Sequence, residues 1–303
     1  MKKNIFFLLL FPVLAFSQES FITIISNTSV LDTDQQRIFS NVENYAPAEQ
    51  PYVVKLNQDI LEQNSFTVSL YNTNAKIIKD RIENNGPSSY SWFGHIDGQM
   101  GSVNFVVSEH GITGKITISN ETFVLVPLGK DYNTLYRLNQ SSYQENCGDA
   151  GGGPNTTGSM ISNMMPMPLV TCKVRILVMY TQAAETNLSN IGWNVRDAVK
   201  VAVDELNQSY QNSSVTHRVE FVRLLETSYT EHSSPSLDCG EEMDIDLDRF
   251  RNTSDGDMDV VHTERNRYRA DVCVLLSDPC TWAGVAYGIG IGTASADAFC
   301  LVD

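Results

Sequence analysis

The sequence predicts an α+β protein in which a β-rich N-terminal domain is followed by a three-layer α/β unit. Two patterns predict this. Up to about Tyr143, β-branched and aromatic residues alternate with polar ones between Asn, Gly and Ser turns, which is typical of strands. From Thr171 onward, strand-like runs alternate with segments whose apolar residues recur every three or four positions, as in helices that cover a sheet. The length of 303 residues allows two such domains.

The first 17 residues predict a signal peptide. Lys2 and Lys3 precede an apolar run over residues 5–16, and Ala15 to Ser17 offers small residues for cleavage before Gln18. The apolar run is too short to span a bilayer, and no Cys follows it. We therefore expect a secreted, extracellular protein without a membrane anchor.

Residues 18–146 are predicted to form the β-rich domain. His110 and Gly111 stand between two strand-like runs, which predicts a hairpin turn. No cluster of His, Cys and carboxylate residues indicates a catalytic site here. Such a domain suits a propeptide, and equally an adhesion or carbohydrate-binding module. The predicted strands cover residues 21–25, 52–56, 66–71, 103–107, 112–118 and 122–127.

Charge and cysteines limit the function classes. The chain carries 36 acidic and 21 basic residues, a net charge of -15, without the Lys and Arg clusters that bind phosphates. Nucleic acid is therefore not an expected partner. Export would place the six cysteines where disulfides persist, although spacing does not give their connectivity. They are Cys147, Cys172, Cys239, Cys273, Cys280 and Cys300.

Residues 147–170 are predicted to be a linker. Gly, Met and Pro dominate the stretch, and neither the helical nor the strand period is present. An exposed linker is a preferred site of proteolysis. If the first domain is a propeptide, activation cleavage is expected here.

The second domain, residues 171–303, is predicted to alternate strands and helices. Lys173–Thr181 (KVRILVMYT) is a strand, and residues 193–210 form a long amphipathic helix that Asn190 could cap and Asn212 could end. Two further strands are predicted at residues 216–225 and 270–276. Short helices are predicted at 244–250 and 260–269, with a polar loop at 229–239.

The last stretch carries the functional signal. Gly284-Val285-Ala286-Tyr287-Gly288 precedes a glycine-rich connection and the apolar end of the chain. Together with VRILVMYT, the long helix, RVEFVRLL and ADVCVLL, in that order, it resembles the upper subdomain of reprolysin-like (adamalysin-type) metzincin metalloproteases. In that family this segment is the antiparallel edge strand of the upper sheet, and an extended peptide substrate pairs with it by strand addition. The resemblance thus implies protein or peptide substrates.

The resemblance also implies zinc, held in the complete enzyme by a HExxHxxGxxH helix, with a Glu general base and a zinc-activated water. This chain ends at Asp303 before any such motif, and no two of its five histidines stand four apart. We therefore predict no metal ligand and no catalytic residue in it, and no activity for the chain as it stands. Its histidines are His95, His110, His217, His232 and His262.

Cys147, followed by Gly148, is a candidate cysteine switch. In many latent metzincins a propeptide Cys, often followed by Gly, binds the zinc in place of water, because a catalytic zinc keeps one coordination position open. Only the Cys-Gly core of the family motif is present. The alternative is a structural disulfide, for example to Cys172.

Other candidate sites are weaker. Asp244, Asp246 and Asp248 alternate as calcium ligands can, but the Gly and terminal Glu of an EF-hand loop are missing. His262 and Glu264 are two apart and point in different directions on a helix. No Gly-x-Ser-x-Gly elbow exists for a serine hydrolase.

Taken together, the sequence predicts the N-terminal portion of a secreted zinc metalloendopeptidase precursor. Its parts would be a signal peptide, a propeptide-like domain, a linker and a truncated metzincin-type α/β subdomain. The alternative is a secreted, non-catalytic adhesion or binding protein that keeps a protease-like sheet.

Overall fold

The computed structural model describes residues 20–129, 131–142, 147–149, 173–278, 283–287 and 298–302. In the N-terminal half, residues 20–149, nine strands form one antiparallel sheet in the order β1-β2-β9-β8-β7-β6-β5-β4-β3. These strands are β1 Ile22–Ile24, β2 Ala48–Leu56, β3 Ser65–Leu70, β4 Thr73–Gly86, β5 Ser89–Ile96, β6 Gly101–Ser108, β7 Gly111–Ile118, β8 Glu121–Pro127 and β9 Asn133–Leu138.

The sheet rolls into a nearly closed, barrel-like shape. Phe21, beside β1, and Phe66 in β3 belong to opposite ends of the strand order, yet their ring centroids lie 5.1 Å apart. The ring centroid of Trp92 lies 5.6 Å from that of Phe66 and 5.9 Å from that of Phe105, and all four rings are buried. Aromatic side chains of this size remove much apolar surface from water, so they supply the core that keeps the sheet rolled.

A glycine permits the close approach of two central strands. A Cβ atom at Gly114 of β7 would lie 2.0 Å from the carbonyl oxygen of Asn104 in β6. Glycine within a strand often marks a bend or a close backbone approach. Gly114 therefore allows curvature that a larger residue would prevent.

A helix that the sequence pattern did not predict packs on the outside of this sheet. α1, Thr33–Asn44, begins with a capping box: Gln35 N donates to Asp32 Oδ1 at 2.9 Å, and Asp32 N donates to Gln35 Oε1 at 3.0 Å. Phe39 and Val42 bury its apolar side. Apart from Ile38, Phe39 and Val42 the residues of α1 are polar, so its apolar side covers little more than one turn of helix. The Asp-x-x-Gln spacing was the available signal.

The C-terminal half, residues 173–302, contains most of a second sheet, ordered β10-β14-β15-β13-β11-β12. Its first strand, β10, comes from the end of the N-terminal half. Neighbouring strands are parallel except for β14 and β15, which are antiparallel. The strands are β10 Cys147–Asp149, β11 Lys173–Thr181, β12 Arg218–Thr227, β13 Val272–Leu276, β14 Gly284–Ala286 and β15 Phe299–Val302.

Four helices accompany this sheet: α2 Gln182–Asn190, α3 Val195–Asn212, α4 Cys239–Arg251 and α5 Val260–Tyr268. Val199 and Val203 of α3 pack on the face of the sheet that contains Val178 and Val219. α4 and α5 cover the other face with Met243, Leu247, Phe250 and Val261. α3 also contacts β6, since Asn104 Nδ2 donates to the carbonyl oxygen of Val201 at 3.2 Å. This helix therefore lies between the two sheets.

The predicted fold class, α+β with a separate metzincin-type three-layer α/β subdomain, is wrong. The protein is β-rich, and its largest element is the nine-stranded, nearly closed antiparallel sheet, with few helices among the described residues. Part of the physical reason is that both sides of helix α3 are covered. Helical periodicity shows that one side of a helix is buried, but not which elements bury it. Here the polar side of α3 is also covered, by the nine-stranded sheet.

Candidate functional site

β14 lies second from the edge of its sheet. On one side it pairs antiparallel with β15, with Val285 opposite Leu301. On the other side it pairs parallel with β10, with Cys147 opposite Gly284 and Gly148 opposite Val285. The strand predicted to lie at the edge is thus covered by a segment from the N-terminal half of the same chain. Nothing in the periodicity of the three-residue β10 predicts this pairing.

The side chains of β14 alternate between core and surface. Val285 and Tyr287 are buried, whereas Ala286 is exposed and Gly284 is partly exposed. A Cβ atom at Gly284 would lie 2.8 Å from the carbonyl oxygen of Leu301, so glycine permits close pairing with β15. The buried side chains therefore anchor β14 to the core on one face of the sheet. The hydrogen-bonding edge of β14 that points away from β15 faces β10. Gly288, the last predicted residue of this segment, lies outside the described residues.

Two residues of α4 hold the end of β14. The hydroxyl of Tyr287 donates to Oδ1 of Asp248. The guanidinium of Arg251 lies over the Tyr287 ring, 4.2 Å from its centroid, and 3.6 Å from Asp248 Oδ1. Burial, together with the hydrogen bond to Asp248, raises the pKa of the Tyr287 phenol, so it acts as a neutral donor. Asp248 and Arg251 were not predicted as neighbours of this strand.

The acidic run of α4 does not converge on one point. Oδ1 of Asp246 accepts hydrogen bonds from the Tyr229 hydroxyl at 2.5 Å and from the backbone N–H of His232 at 2.9 Å. Asp246 is fully buried, and burial raises the pKa of its carboxyl. Asp248 instead accepts from Tyr287. The two carboxylates position the 229–238 loop and the end of β14, respectively, rather than sharing a metal ion.

The described histidines are dispersed. His95 Nδ1 lies 2.6 Å from Asp80 Oδ1 on the outside of the nine-stranded sheet. His262 Nε2 lies 2.7 Å from the carbonyl oxygen of Asn252, and its ring centroid is 5.3 Å from that of Phe299. Across the residues that the structure describes, no group of three or more His, Cys, Asp or Glu side chains could hold a metal ion. The donor set in this part of the chain therefore does not fit a metal centre.

The cysteines fall into distinct classes. Cys273 and Cys300 are free. Cys273 stands opposite Phe299, and Cys300 opposite Val274, so the two thiols belong to opposite faces of the β13–β15 pair. Burial raises the pKa of Cys273 to about 12 and that of Cys300 to about 11, which keeps both as thiols. Cys239 is disulfide-bonded.

The predicted switch residue, Cys147, lies at the start of β10. Its backbone therefore pairs with the candidate substrate-aligning strand. Its side chain, like Cys172 and Cys280, lies outside what the structure describes. The assignment of Cys147 as a zinc-binding thiolate or as half of a disulfide thus stays a prediction.

No protein-family model matches the chain. Three curated bacterial relatives are each named peptidyl-Asp metalloendopeptidase. One from Stenotrophomonas maltophilia (strain R551-3) is 29% identical over 261 residues, which are 80% of this chain and 60% of the relative. One from Xanthomonas campestris pv. campestris is 32% identical over 206 residues, 65% of this chain and 46% of the relative. A third, from Stenotrophomonas maltophilia (strain K279a), is 42% identical over 122 residues, 40% of this chain and 26% of the relative.

The chain is therefore related to metalloendopeptidases, and it spans 60% of the length of the first of these relatives. This supports the metalloprotease part of the predicted resemblance, but not its specific assignment to the reprolysin-like family. The relatives' names imply a metal cofactor without saying which metal. A solved structure, described as the structure of a chaperone-substrate complex, matches this chain at 11% sequence identity. The match covers 66% of this chain and 27% of the chain in that structure. Its TM-score of 0.32 is too low to support an inference.

Proposed function

We propose that this chain is the latent N-terminal portion of a secreted metalloendopeptidase, and that β14 aligns an extended peptide substrate. The pairing of β10 with β14 carries this proposal. Three residues of extended chain already add to the outer side of β14, which supports a backbone edge that accepts a peptide by strand addition. One side of a strand can pair with only one partner at a time. A substrate must therefore displace β10.

Latency follows from this competition. β10 is covalently part of the chain, so its effective concentration at β14 exceeds that of a free peptide. The N-terminal half then acts as a propeptide that covers the substrate strand, and Cys147 within β10 is the candidate zinc-binding switch. β10 runs parallel to β14 and pairs with it through all three of its residues.

The relatives' names guide the choice of cofactor and substrate. We propose zinc as the metal and aspartate-containing peptides as the substrate class. The described residues of this chain offer no cluster of metal ligands, so the role assigned to them is substrate alignment and not metal binding. When bound, the metal would polarise the scissile carbonyl and activate water. Val285, Tyr287 and Asp248 would hold the strand that orients the peptide.

Secretion is supported by two features. The first 17 residues have the charge and hydropathy pattern of a signal peptide. Cys239 is disulfide-bonded, and disulfides persist mainly in oxidising compartments. Among the helices that the structure describes, none is both long and apolar enough to cross a membrane.

Proline variants of β10 test the aligning role. Successive N–H groups of a strand point to opposite sides, so one of Gly148→Pro and Asp149→Pro removes a donor that faces β14. We expect that variant to bind a fluorescent, extended aspartate-containing peptide at least about tenfold more tightly than the unaltered chain, because the competing strand is weakened. Hydrogen exchange should show the peptide protecting the amides of Gly284–Ala286.

Two controls sharpen this experiment. Gly152→Pro, beyond β10 in the sequence, should leave peptide affinity unchanged. A peptide with asparagine in place of aspartate tests the substrate class separately from strand pairing. The aligning role is refuted if neither β10 variant gains affinity, or if protection appears away from β14.

Catalysis is tested on the whole gene product. The coding sequence is read past the codon for Asp303, and its full product is assayed for peptide hydrolysis with added zinc and with a chelator. Chelator-sensitive cleavage supports the endopeptidase. Peptide binding by a full product that never hydrolyses peptide would instead support the non-catalytic binding protein.

A further inference from the structure

A second contact between the two halves lies far along the chain from β10. It runs over the side of α3 that faces the nine-stranded sheet, and we name it the α3 interface. On α3 it comprises Asp197, Val201, Asp204, Glu205 and Gln208. Their partners in the nine-stranded sheet are Ser108, Asn104, Ser91, Lys115 and Arg81, respectively.

We infer that the α3 interface keeps the N-terminal half docked after the linker is cut, so that cleavage of the linker does not by itself uncover β14. This rests on the proposed function of β14. The partner that fits the α3 interface is the severed N-terminal half itself. Activation then takes two steps, cleavage followed by dissociation.

The centre of the α3 interface is buried and polar. Ser91 Oγ donates to Asp204 Oδ2 at 2.5 Å, and Ser108 Oγ donates to Asp197 Oδ2 at 2.7 Å. Both aspartates are 2% exposed. A buried carboxylate that lost its serine donor without regaining water would be strongly destabilised. These bonds therefore fix the register of the docked halves.

Charged and apolar contacts surround this centre. Lys115 Nζ lies 2.8 Å from Glu205 Oε2, and Arg81 Nη1 donates to Gln208 Oε1 at 3.2 Å. Before α3, Trp193 packs on the apolar cluster that contains Val124 and Val126 of β8. The contacts thus extend along most of α3, an 18-residue helix about 27 Å long.

The α3 interface can dissociate as well as hold the two halves together. An open cleft of about 800 Å³ runs beside it, lined by polar and charged residues that include Arg81, Lys200 and Asp204. Polar interfaces of this kind resemble transient protein–protein contacts more than a continuous apolar core. Water in this cleft reaches the charged edge of the interface, whereas Asp197 and Asp204 at its centre become exposed only when the halves separate.

The position of β10 in the chain links the two contacts. β10 occupies the first three residues of the predicted linker, 147–170, and only residues 139–146 connect it to β9. Any cut within residues 150–170 therefore leaves β10 attached to the N-terminal half. While that half stays docked on α3, the short connection keeps β10 at a high effective concentration beside β14. A free peptide therefore competes poorly with β10 for β14 until the N-terminal half dissociates.

The test uses the full chain with a specific protease site inserted between Gly152 and Gly153. After complete cleavage of the folded protein, size-exclusion chromatography reports whether the two fragments elute together. Hydrogen exchange reports the protection of Gly284–Ala286. We expect the fragments to stay together and the protection to remain unchanged.

A charge reversal supplies the matched comparison. Lys115→Glu places two carboxylates opposite each other at the edge of the α3 interface, and Arg81→Glu is a second, independent variant. After cleavage, each variant should release its N-terminal fragment, and the amides of Gly284–Ala286 should exchange at least about tenfold faster. The uncut variants should keep the circular dichroism spectrum of the unaltered protein, which shows that they fold.

Two results would overturn the inference. In one, the unaltered fragments separate on cleavage as readily as those of the variants. In the other, the fragments stay together while Gly284–Ala286 exchange freely. Neither result bears on whether β14 binds peptides, which the proline variants measure separately.

Discussion

Ser91 of β5 donates a 2.5 Å hydrogen bond to the buried carboxylate of Asp204 in α3. This bond joins residues 113 positions apart in the chain, one from each half. Lys200, one helical turn before Asp204, pairs with its other carboxylate oxygen. The bond joins β5 to α3, the helix between the two sheets, and so docks the N-terminal half, whose strand β10 pairs with β14, onto the C-terminal half.

The pH dependence of stability should report the burial of Asp204. Burial raises the pKa of this carboxyl, and Glu83 raises it further, against the opposing effects of Lys200 and Ser91. The stabilisation from a raised pKa is fully present below the unfolded pKa of about 3.9, and it is lost as pH rises through the folded-state pKa. An asparagine at this position cannot titrate.

We therefore expect the free energy of unfolding of the unaltered protein, relative to that of Asp204→Asn, to rise as pH is lowered from about 7 towards about 4. The rise is about 1.4 kcal/mol for each unit by which the folded pKa exceeds the unfolded one. Denaturant titrations at several pH values measure it. Asp34→Asn, at an exposed position in α1, is the control. A constant difference between Asp204→Asn and the unaltered protein would contradict this prediction.

Tyr287→Phe should loosen the end of β14. The change removes the hydrogen bond to Asp248 while keeping the ring beneath Arg251. We expect a loss of about 1 kcal/mol in the free energy of unfolding, and faster hydrogen exchange at Gly284–Ala286. Tyr52→Phe, at an exposed position in β2, is the matched control. Equal exchange in both variants would show that the phenol does not hold the strand.

Phe66→Ala should destabilise the rolled sheet severely. Phe66 is 2% exposed and contacts both Phe21 and Trp92. Removing a buried phenylalanine costs about 3–5 kcal/mol through lost burial and the cavity left behind. Ile82→Ala in β4, where the side chain is 50% exposed, should cost less than about 0.5 kcal/mol. Similar costs for the two variants would mean that the aromatic cluster does not hold the ends of the sheet together.

Cys273 and Cys300 should resist thiol reagents in the native protein. Burial raises the pKa of both thiols well above neutrality, and their positions on opposite faces of the sheet prevent a disulfide between them. Mass spectrometry after alkylation should find Cys273 unmodified and the partly exposed Cys300 modified only slowly in the native state, and both modified in denaturant. Cys239 should be alkylated only after reduction. Rapid native labelling of Cys273 would contradict the burial.

Several elements could be predicted because local pattern and tertiary burial agree. The strand predicted at residues 173–181 is confirmed as β11, and the hairpin turn at His110 and Gly111 is confirmed between β6 and β7. The helix predicted at 260–269 is confirmed as α5, which ends at Tyr268 before Arg269 adopts a left-handed conformation. β11 is buried on both faces, with Leu177 and Met179 on one and Val178 on the other, so a nearly continuous apolar run predicts it.

Other elements could not be predicted from the same pattern. β4 runs for 14 residues, but only Ala75 and Ile77 of them are buried, so the apolar alternation is too short to define the strand. α4 begins at Cys239, earlier than the predicted residue 244, because Asp238 and Glu241 form a capping box before the apolar positions begin. For the candidate site, the sequence indicated Gly284 to Tyr287 but not their neighbours Asp248, Arg251 and β10, and the aligning role of these residues stays a prediction.

The sequence by itself determined which segments alternate apolar and polar residues, where the signal-like and linker-like compositions lie, and that no helical zinc motif is present. These properties depend on residues close together in the chain. Only the tertiary structure decided that Phe21 meets Phe66, that α3 lies between two sheets, and that β10 covers β14. Such contacts join segments that are far apart in the chain through burial and backbone pairing. Many other segments could bury the same apolar side or pair with the same strand, so the actual partners are decided only when the whole chain folds.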